Sequence, residues 1–101
     1  MNLVEILLPV NDNDGTPFAA EKFERVREIL THTFGGLTSF TRAPAEGLNK
    51  NKGRTERDDI IVLEIMTEQL DRQWWSAYRK TLEQEFSQDE IVIRASVIER
   101  L

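Results

Sequence analysis

The stretch DIIVLEIMTEQLDRQWWSAYRKTLEQEF, residues 59–86, changes its apolar period part-way along. From Asp59 to Met66 the pattern is that of a strand, with Ile61, Leu63 and Ile65 on one face and Ile60, Val62, Glu64 and Met66 on the other. From about Thr67 to Phe86 the spacing predicts a helix, with Glu68 and Asp71 near its start, where negative charge suits the helix dipole. On that helix Leu70, Trp74, Ala77 and Thr81 fall within one arc, and Tyr78, Leu82, Trp75 and Phe86 continue it. The apolar sector spans roughly 180°, where about 100° suffices to pack on one sheet. Trp74 is therefore expected to pack on the sheet or the first helix, and the surplus edge, Trp75 and Phe86, to meet a second protein surface, with the first helix or a loop of the same chain as the alternative cover for Trp75.

The same alternation between periods runs outward from this stretch. Leu3 to Val10 reads as a strand with Val4, Ile6, Leu8 and Val10 on one face and Leu3, Glu5 and Leu7 on the other. The turn-rich loop NDNDGTP leads to a helix starting between Thr16 and Ala20, with Thr16 as cap and Pro17 in the first turn. Phe23, Val26, Leu30, Thr33 and Phe34 form its stripe, and Gly35-Gly36 ends it. A second strand is expected from Leu37 to about Arg42. The polar residues 43–58 follow, read as a two-stranded arm whose tip is Asn51-Lys52-Gly53. A last strand occupies Glu90 to Ile98.

The order β-α-β-β-α-β predicts an α+β fold over residues 1–101 as a single domain: a ferredoxin-like βαββαβ sandwich. Its four-stranded antiparallel sheet carries two helices on one face and a long β2-β3 hairpin arm. The other sheet face is then bare, showing Leu3, Glu5, Leu7, Ile60, Val62, Glu64, Met66, Val92, Arg94, Ser96 and Ile98. More than half of these are apolar, which predicts coverage by a second copy of the chain. Val62 and Val92, together with Trp75 and Phe86, are the expected partner contacts.

Composition narrows the class. The chain has 101 residues, 40% hydrophobic, with a formal charge of −5 and no cysteine. It is long enough for one core, and its acidity disfavours nucleic acid and anionic lipid as partners. Disulfides, thiolate metal sites and thiol chemistry are excluded. The amino-terminal apolar run lacks a basic flank, is broken by Glu5 and stops at Pro9, too short for a signal peptide or membrane span, so a cytoplasmic protein is expected.

Few residues carry a chemical signature. Glu5, Glu64 and Arg94 fall on three adjacent strands and point the same way. They could bind a small anion through Arg94 while a carboxylate acts as base; the plainer reading is a charge cluster that fixes register at an oligomer interface. Asp12, Asp14, Gly15 and Glu21 match calcium-loop positions, but Val10 stands first and a strand precedes them, which favours an Asx turn over a metal site. His32, the single histidine, lies opposite the apolar stripe of its helix. No serine nucleophile motif or phosphate loop is present, and Ile60, Val62, Glu64 and Glu5 are not the aromatic platform of an RNA-binding sheet. Lys50, Lys52, Arg54 and Arg57 in the arm are interleaved with Glu46, Glu56, Asp58 and Asp59, as in a solvated mixed-charge hairpin. No metal and no cofactor is implied.

The segments NDGTPF, FGGLT, LDRQWW with YR, and IVIRASVIERL resemble those of an uncharacterised family of roughly 100-residue bacterial proteins. The resemblance implies a ferredoxin-like fold and a bacterial origin, and carries no activity to transfer. Two functions follow from the residues themselves. One is an oligomeric binding or interaction domain that self-associates through the open sheet face. The other is a cofactor-free enzyme of the dimeric α+β-barrel type, acting on a small molecule held by Arg94, Glu5 and Glu64.

Overall fold

A computed structural model describes the backbone of residues 1–36, 39–51 and 54–101 and the side chains of residues 1–36 and 60–101. In chain order the elements are β1 (Asn2–Pro9), α1 (Ala20–Phe34), β2 (Ser39–Asn51), β3 (Arg54–Thr67), α2 (Arg72–Glu85) and β4 (Val92–Val97). No helix among the described residues is long and apolar enough to cross a membrane.

Alternation along β1 decides which way the sheet faces. Val4, Ile6 and Leu8 are at most 1% exposed, while Leu3, Glu5 and Leu7 between them are half-buried. Antiparallel pairing to β3 places Ile6 opposite Leu63 and Val4 opposite Ile65, and antiparallel pairing to β4 places Ile6 opposite Ile93. One face of all three strands therefore turns to the helices, as the period-two pattern requires.

Strands are ordered β2-β3-β1-β4, and β2 is bonded only to β3. The expected four-stranded ferredoxin-like βαββαβ sandwich is corrected here. Among the described residues the layer on which the helices pack is a three-stranded antiparallel sheet, β3-β1-β4 with β1 central. β2 instead forms the outer half of a ribbon with β3, from Ser39 opposite Glu64 to Asn51 opposite Arg54. The physical reason lies in the length of β3. At 14 residues it runs well past the eight of β1, so its amino-terminal half has β2 as its partner and no central strand beside it. The arm expected at 43–58 thus continues a ribbon that begins at Ser39. A register shift between Ala45 and Asn49 marks a bulge in it, a common device in long two-stranded ribbons. The expected tip residues Lys52 and Gly53, and the start of the second strand at Leu37, lie outside the described residues, as do the side chains of Lys50, Arg54 and Arg57.

Both helices are amphipathic. On α1, Val26 and Leu30 are fully buried and Phe23, Ile29 and Phe34 are half-buried, while His32 and Thr33 are exposed. Gly35 ends α1 with φ 77°, and its N–H bonds the Thr31 carbonyl at 2.9 Å, a left-handed cap that glycine adopts without strain. Thr16 does not cap this helix. Asp12 Oδ1 accepts from the backbone N–H groups of Asp14 and Thr16, both at 2.9 Å, closing the β1-α1 loop as an Asx turn.

α2 begins at Arg72, later than its periodicity indicates, because the Asp71 side chain accepts from the Trp74 N–H at 3.1 Å and caps the helix there. Trp75, Tyr78 and Leu82 are its buried stripe and Phe86, at its C-cap, is 0% exposed. The roles expected of the two tryptophans are therefore reversed. Leu70 precedes the cap, so it does not belong on the helical wheel, and without it the apolar stripe centres on Trp75. Trp75 and Phe86 are core residues and not partner contacts: Trp75 stacks on Phe34 at 5.1 Å and 8°, and Phe86 packs edge-on against Phe18 at 5.0 Å. Trp74 is the half-buried one, edge-on to both Trp75 and Phe34.

Candidate functional site

The helix-free side of the sheet is the surface on which the sequence gathers its charged candidates. On this side Glu5 stands opposite Glu64 of β3 and opposite Arg94 of β4, so the three side chains form one row across the sheet. Largely apolar rows flank it: Met66 and Leu3, with the polar Ser96, on one side, and Val62, Leu7 and Val92 on the other. Leu3, Leu7, Val62 and Met66 are half-buried, and Val92 is 45% exposed. The row results from hydrophobic register, because fixing Ile6 against Leu63 and Ile93 fixes the residue before it against Glu64 and Arg94.

Within the row the charges pair unequally. Arg94 donates from Nε to Glu5 Oε1 at 3.2 Å and from Nη2 to Glu5 Oε2 at 3.5 Å, a two-point contact. Glu64 sits two strands from Arg94, roughly 9.5 Å at the usual strand spacing, and the guanidinium is engaged by the Glu5 carboxylate between them. The result is one neutralised pair with one further carboxylate beside it, on a surface of apolar side chains. Such a row can meet a ligand carrying positive charge next to a carboxylate.

A second concavity lies at the β4 edge, bounded by the amino-terminal end of α2. Val4, Leu70, Arg72, Trp75, Ile93, Arg94 and Ala95 line a cleft of about 160 Å³. Here β4 departs from expectation: Ile91 is buried and Ile93 half-buried, but Ala95 and Val97, the latter 84% exposed, extend beyond the helical layer. Sequence reasoning missed Leu70 and Arg72 at this cleft. The available signal was Asp71, whose capping geometry ends the preceding loop and sets both residues at the helix mouth.

Other candidates stay apart from these sites. His32 lies with Glu24, Arg27, Glu28 and Thr31 along a wide, open hollow on the outer side of α1. Tyr78, the single tyrosine, is buried with its hydroxyl unpartnered among the described residues; burial pushes its pKa well above the ordinary tyrosine range, and the negative charge of Glu85 adds to the rise.

No family model matches this chain and no curated protein is similar to it. Among solved structures it is similar to a phage SAM lyase in complex with S-methyl-5'-thioadenosine, with a TM-score of 0.67 over 94% of this chain and 79% of that one. The two chains share a fold. Their sequences are 16% identical, so the likeness is one of architecture.

Proposed function

We propose that this protein is a cofactor-free, small-molecule enzyme that binds S-adenosylmethionine on its open sheet face and releases a thioether nucleoside. The Glu64–Glu5–Arg94 row carries this reading, and the fold shared with the phage SAM lyase supports it. S-adenosylmethionine bears a sulfonium, an ammonium and a carboxylate within a few bonds of one another. Glu64 offers negative charge to the cationic centres, and Arg94, whose Nε and Nη2 are held by Glu5, offers its remaining Nη1 donor to one oxygen of the substrate carboxylate.

The chemistry asks little of the protein. Breaking the bond between sulfur and the amino-acid side-chain carbon sends the bonding pair to a positively charged sulfur, so the thioether leaves without an acid. The substrate's own carboxylate oxygen attacks the carbon that sulfur leaves, forming a lactone and releasing S-methyl-5'-thioadenosine. No proton, water or cofactor enters the balance. Arg94 holds one carboxylate oxygen and leaves the other to attack, and Glu64 holds the ammonium. The residues thus act by orientation, which supplies a large effective concentration to an intramolecular step. Opposite charges cancel as the bond forms, so a dry surface accelerates it, and a second copy of the chain laid over the apolar rows would exclude water.

Calorimetric titration with S-adenosylmethionine and with S-methyl-5'-thioadenosine tests this reading. Both are expected to bind, and Glu64→Gln is expected to weaken the first more than the second, because only the first is cationic. Equal weakening of the two contradicts it.

A second reading, an oligomeric interaction domain without chemistry, is favoured by one observation: Val92, at 45% exposed, leaves an apolar side chain open on the same face. Assembly that Val92→Lys dissolves, in a protein that binds neither nucleoside, would select it.

A further inference from the structure

β4 is an outer strand of the sheet, bonded on one side to β1 and, among the described residues, to no strand on the other. The Ile98 N–H bonds the Met1 carbonyl at 3.0 Å. By the alternation of an antiparallel ladder, even-numbered residues of this strand therefore turn their backbone groups to β1, and odd-numbered ones turn theirs outward. At Ile91 the outward N–H is taken by Glu83 Oε2 of α2 at 3.0 Å. Among the described residues no side chain does the same at Ile93, Ala95 or Val97. Open edges are ordinarily blunted by proline, a bulge or a charge, and the strand VIRASV has neither proline nor bulge, while its one charge, Arg94, is held by Glu5. Apolar side chains stand exposed on it instead: Val97, 84% exposed on the helix side, and Val92 on the other.

We propose that a second copy of this chain pairs with this edge, β4 antiparallel to β4, about a two-fold axis at Ala95. The two sheets then join into one, with both helix layers on the same side. Outward backbone groups of Ile93, Ala95 and Val97 meet those of Val97, Ala95 and Ile93 of the second copy, the strand addition that completes sheet edges. Side chains select the register. Val97 falls opposite Ile93 of the second copy, beside the cleft of about 160 Å³ that Ile93 lines with Leu70 and Trp75, so the exposed valine of each chain closes the apolar cleft of the other. Continued past the strand ends, the same register sets Glu90 opposite Arg100 of the second copy, a pair of opposite charges repeated by the symmetry. An axis one residue earlier sets Arg94 against its own copy, and an axis one residue later sets Ile93 against Glu99. The pairing uses the strand edge, leaves the sheet-face row open and does not rest on the function proposed above.

The chain has no cysteine, so one introduced thiol reports one contact. In this pairing Ala95 lies opposite its own copy with Cα atoms about 5.5 Å apart, within the span of a disulfide. Val97 lies several residues along the ladder from its copy, on the order of 14 Å. Ala95→Cys is therefore expected to oxidise to a disulfide-linked dimer at least about tenfold faster than Val97→Cys, which exposes its thiol on the same side. Ala95→Pro removes an outward N–H and no bond to β1, a change an edge strand tolerates. It is expected to turn the dimer that the wild type forms in sedimentation into a monomer with unchanged circular dichroism. If that variant does not fold, Val97→Lys, which sets a charge at the cleft mouth, takes its place. A wild-type chain that sediments as a monomer, equal cross-linking of the two cysteine variants, or a dimer that persists in the folded proline or lysine variant, as one formed on the open sheet face does, would overturn the proposal.

Discussion

Arg94 and Glu5 face each other across neighbouring antiparallel strands and share two hydrogen bonds, at 3.2 and 3.5 Å. The Arg94 side chain is 59% exposed, so solvent screens the pair. A double-mutant cycle with Glu5→Gln and Arg94→Met is expected to give a coupling below about 1 kcal/mol in urea unfolding. A larger coupling would mean that the row is buried in solution, as it is when another copy covers it.

On the other side of Glu5, Glu64 is a like charge directly opposite it in the β1-β3 pairing. Glu64→Gln is therefore expected to raise stability by roughly 0.2–1 kcal/mol while harming ligand binding. Thermal unfolding of the variant without ligand measures the first effect, and a loss of stability would place Glu64 in a favourable interaction.

For the tryptophan pair, Trp75→Ala is expected to cost about 3–5 kcal/mol, the usual cost of truncating a buried aromatic. Trp74→Ala, on a half-buried residue, should cost less. Denaturant midpoints of the two variants check this ordering, and equal costs would show that Trp74 is as buried as its neighbour.

The Tyr78 hydroxyl gives a pH dependence. In the folded chain its pKa is raised, by burial first and by Glu85 second, above the value of about 10 that it has when unfolded. The folded state holds the proton more tightly, so this contribution to stability is complete below about pH 10 and is lost as pH rises toward the folded value. Phenolate absorbance should therefore appear with unfolding and not before it. Tyr78→Phe removes an unpartnered buried hydroxyl, and is expected to be neutral or to stabilise by about 1 kcal/mol at neutral pH and to abolish the alkaline component.

Gly35 closes α1 at φ 77° with open space around a would-be side chain. Gly35→Ala is expected to cost about 1–2 kcal/mol, from backbone strain alone. Circular dichroism through thermal unfolding reads it, and a cost near zero would mean that the cap relaxes out of the left-handed region.

Much of this architecture was legible in residue spacing. Alternation in β1 and β3 gives the buried face through Val4, Ile6, Leu63 and Ile65, and it sets Glu5, Glu64 and Arg94 on one side of three adjacent strands. Pairing strength along β3 is not written in such a pattern. The ribbon with β2 is held by backbone groups, which every residue carries, so a polar stretch from Ala43 onward has no apolar period of its own, and its reading as a two-stranded arm rests on its length and on the turn residues Asn51-Lys52-Gly53. The two tryptophans were misassigned for a different reason. Helical phase depends on where the helix begins, and a start five residues too early brought Leu70 onto the wheel and moved the centre of the stripe from Trp75 to Trp74. The cleft at the α2 mouth escaped notice because it joins residues about 90 positions apart, from Val4 to Ala95, and no local pattern announces such a meeting.

Chromatographic assay of S-methyl-5'-thioadenosine released from S-adenosylmethionine tests the proposed function most directly. The wild-type chain is expected to release it without added metal or cofactor, and Arg94→Met and Glu64→Gln, folded by circular dichroism, are expected to slow release at least about tenfold each. A folded wild-type protein that releases no thioether above the uncatalysed rate, or variants that release it as fast as wild type, would contradict the assignment of this chemistry to the Glu64–Glu5–Arg94 row.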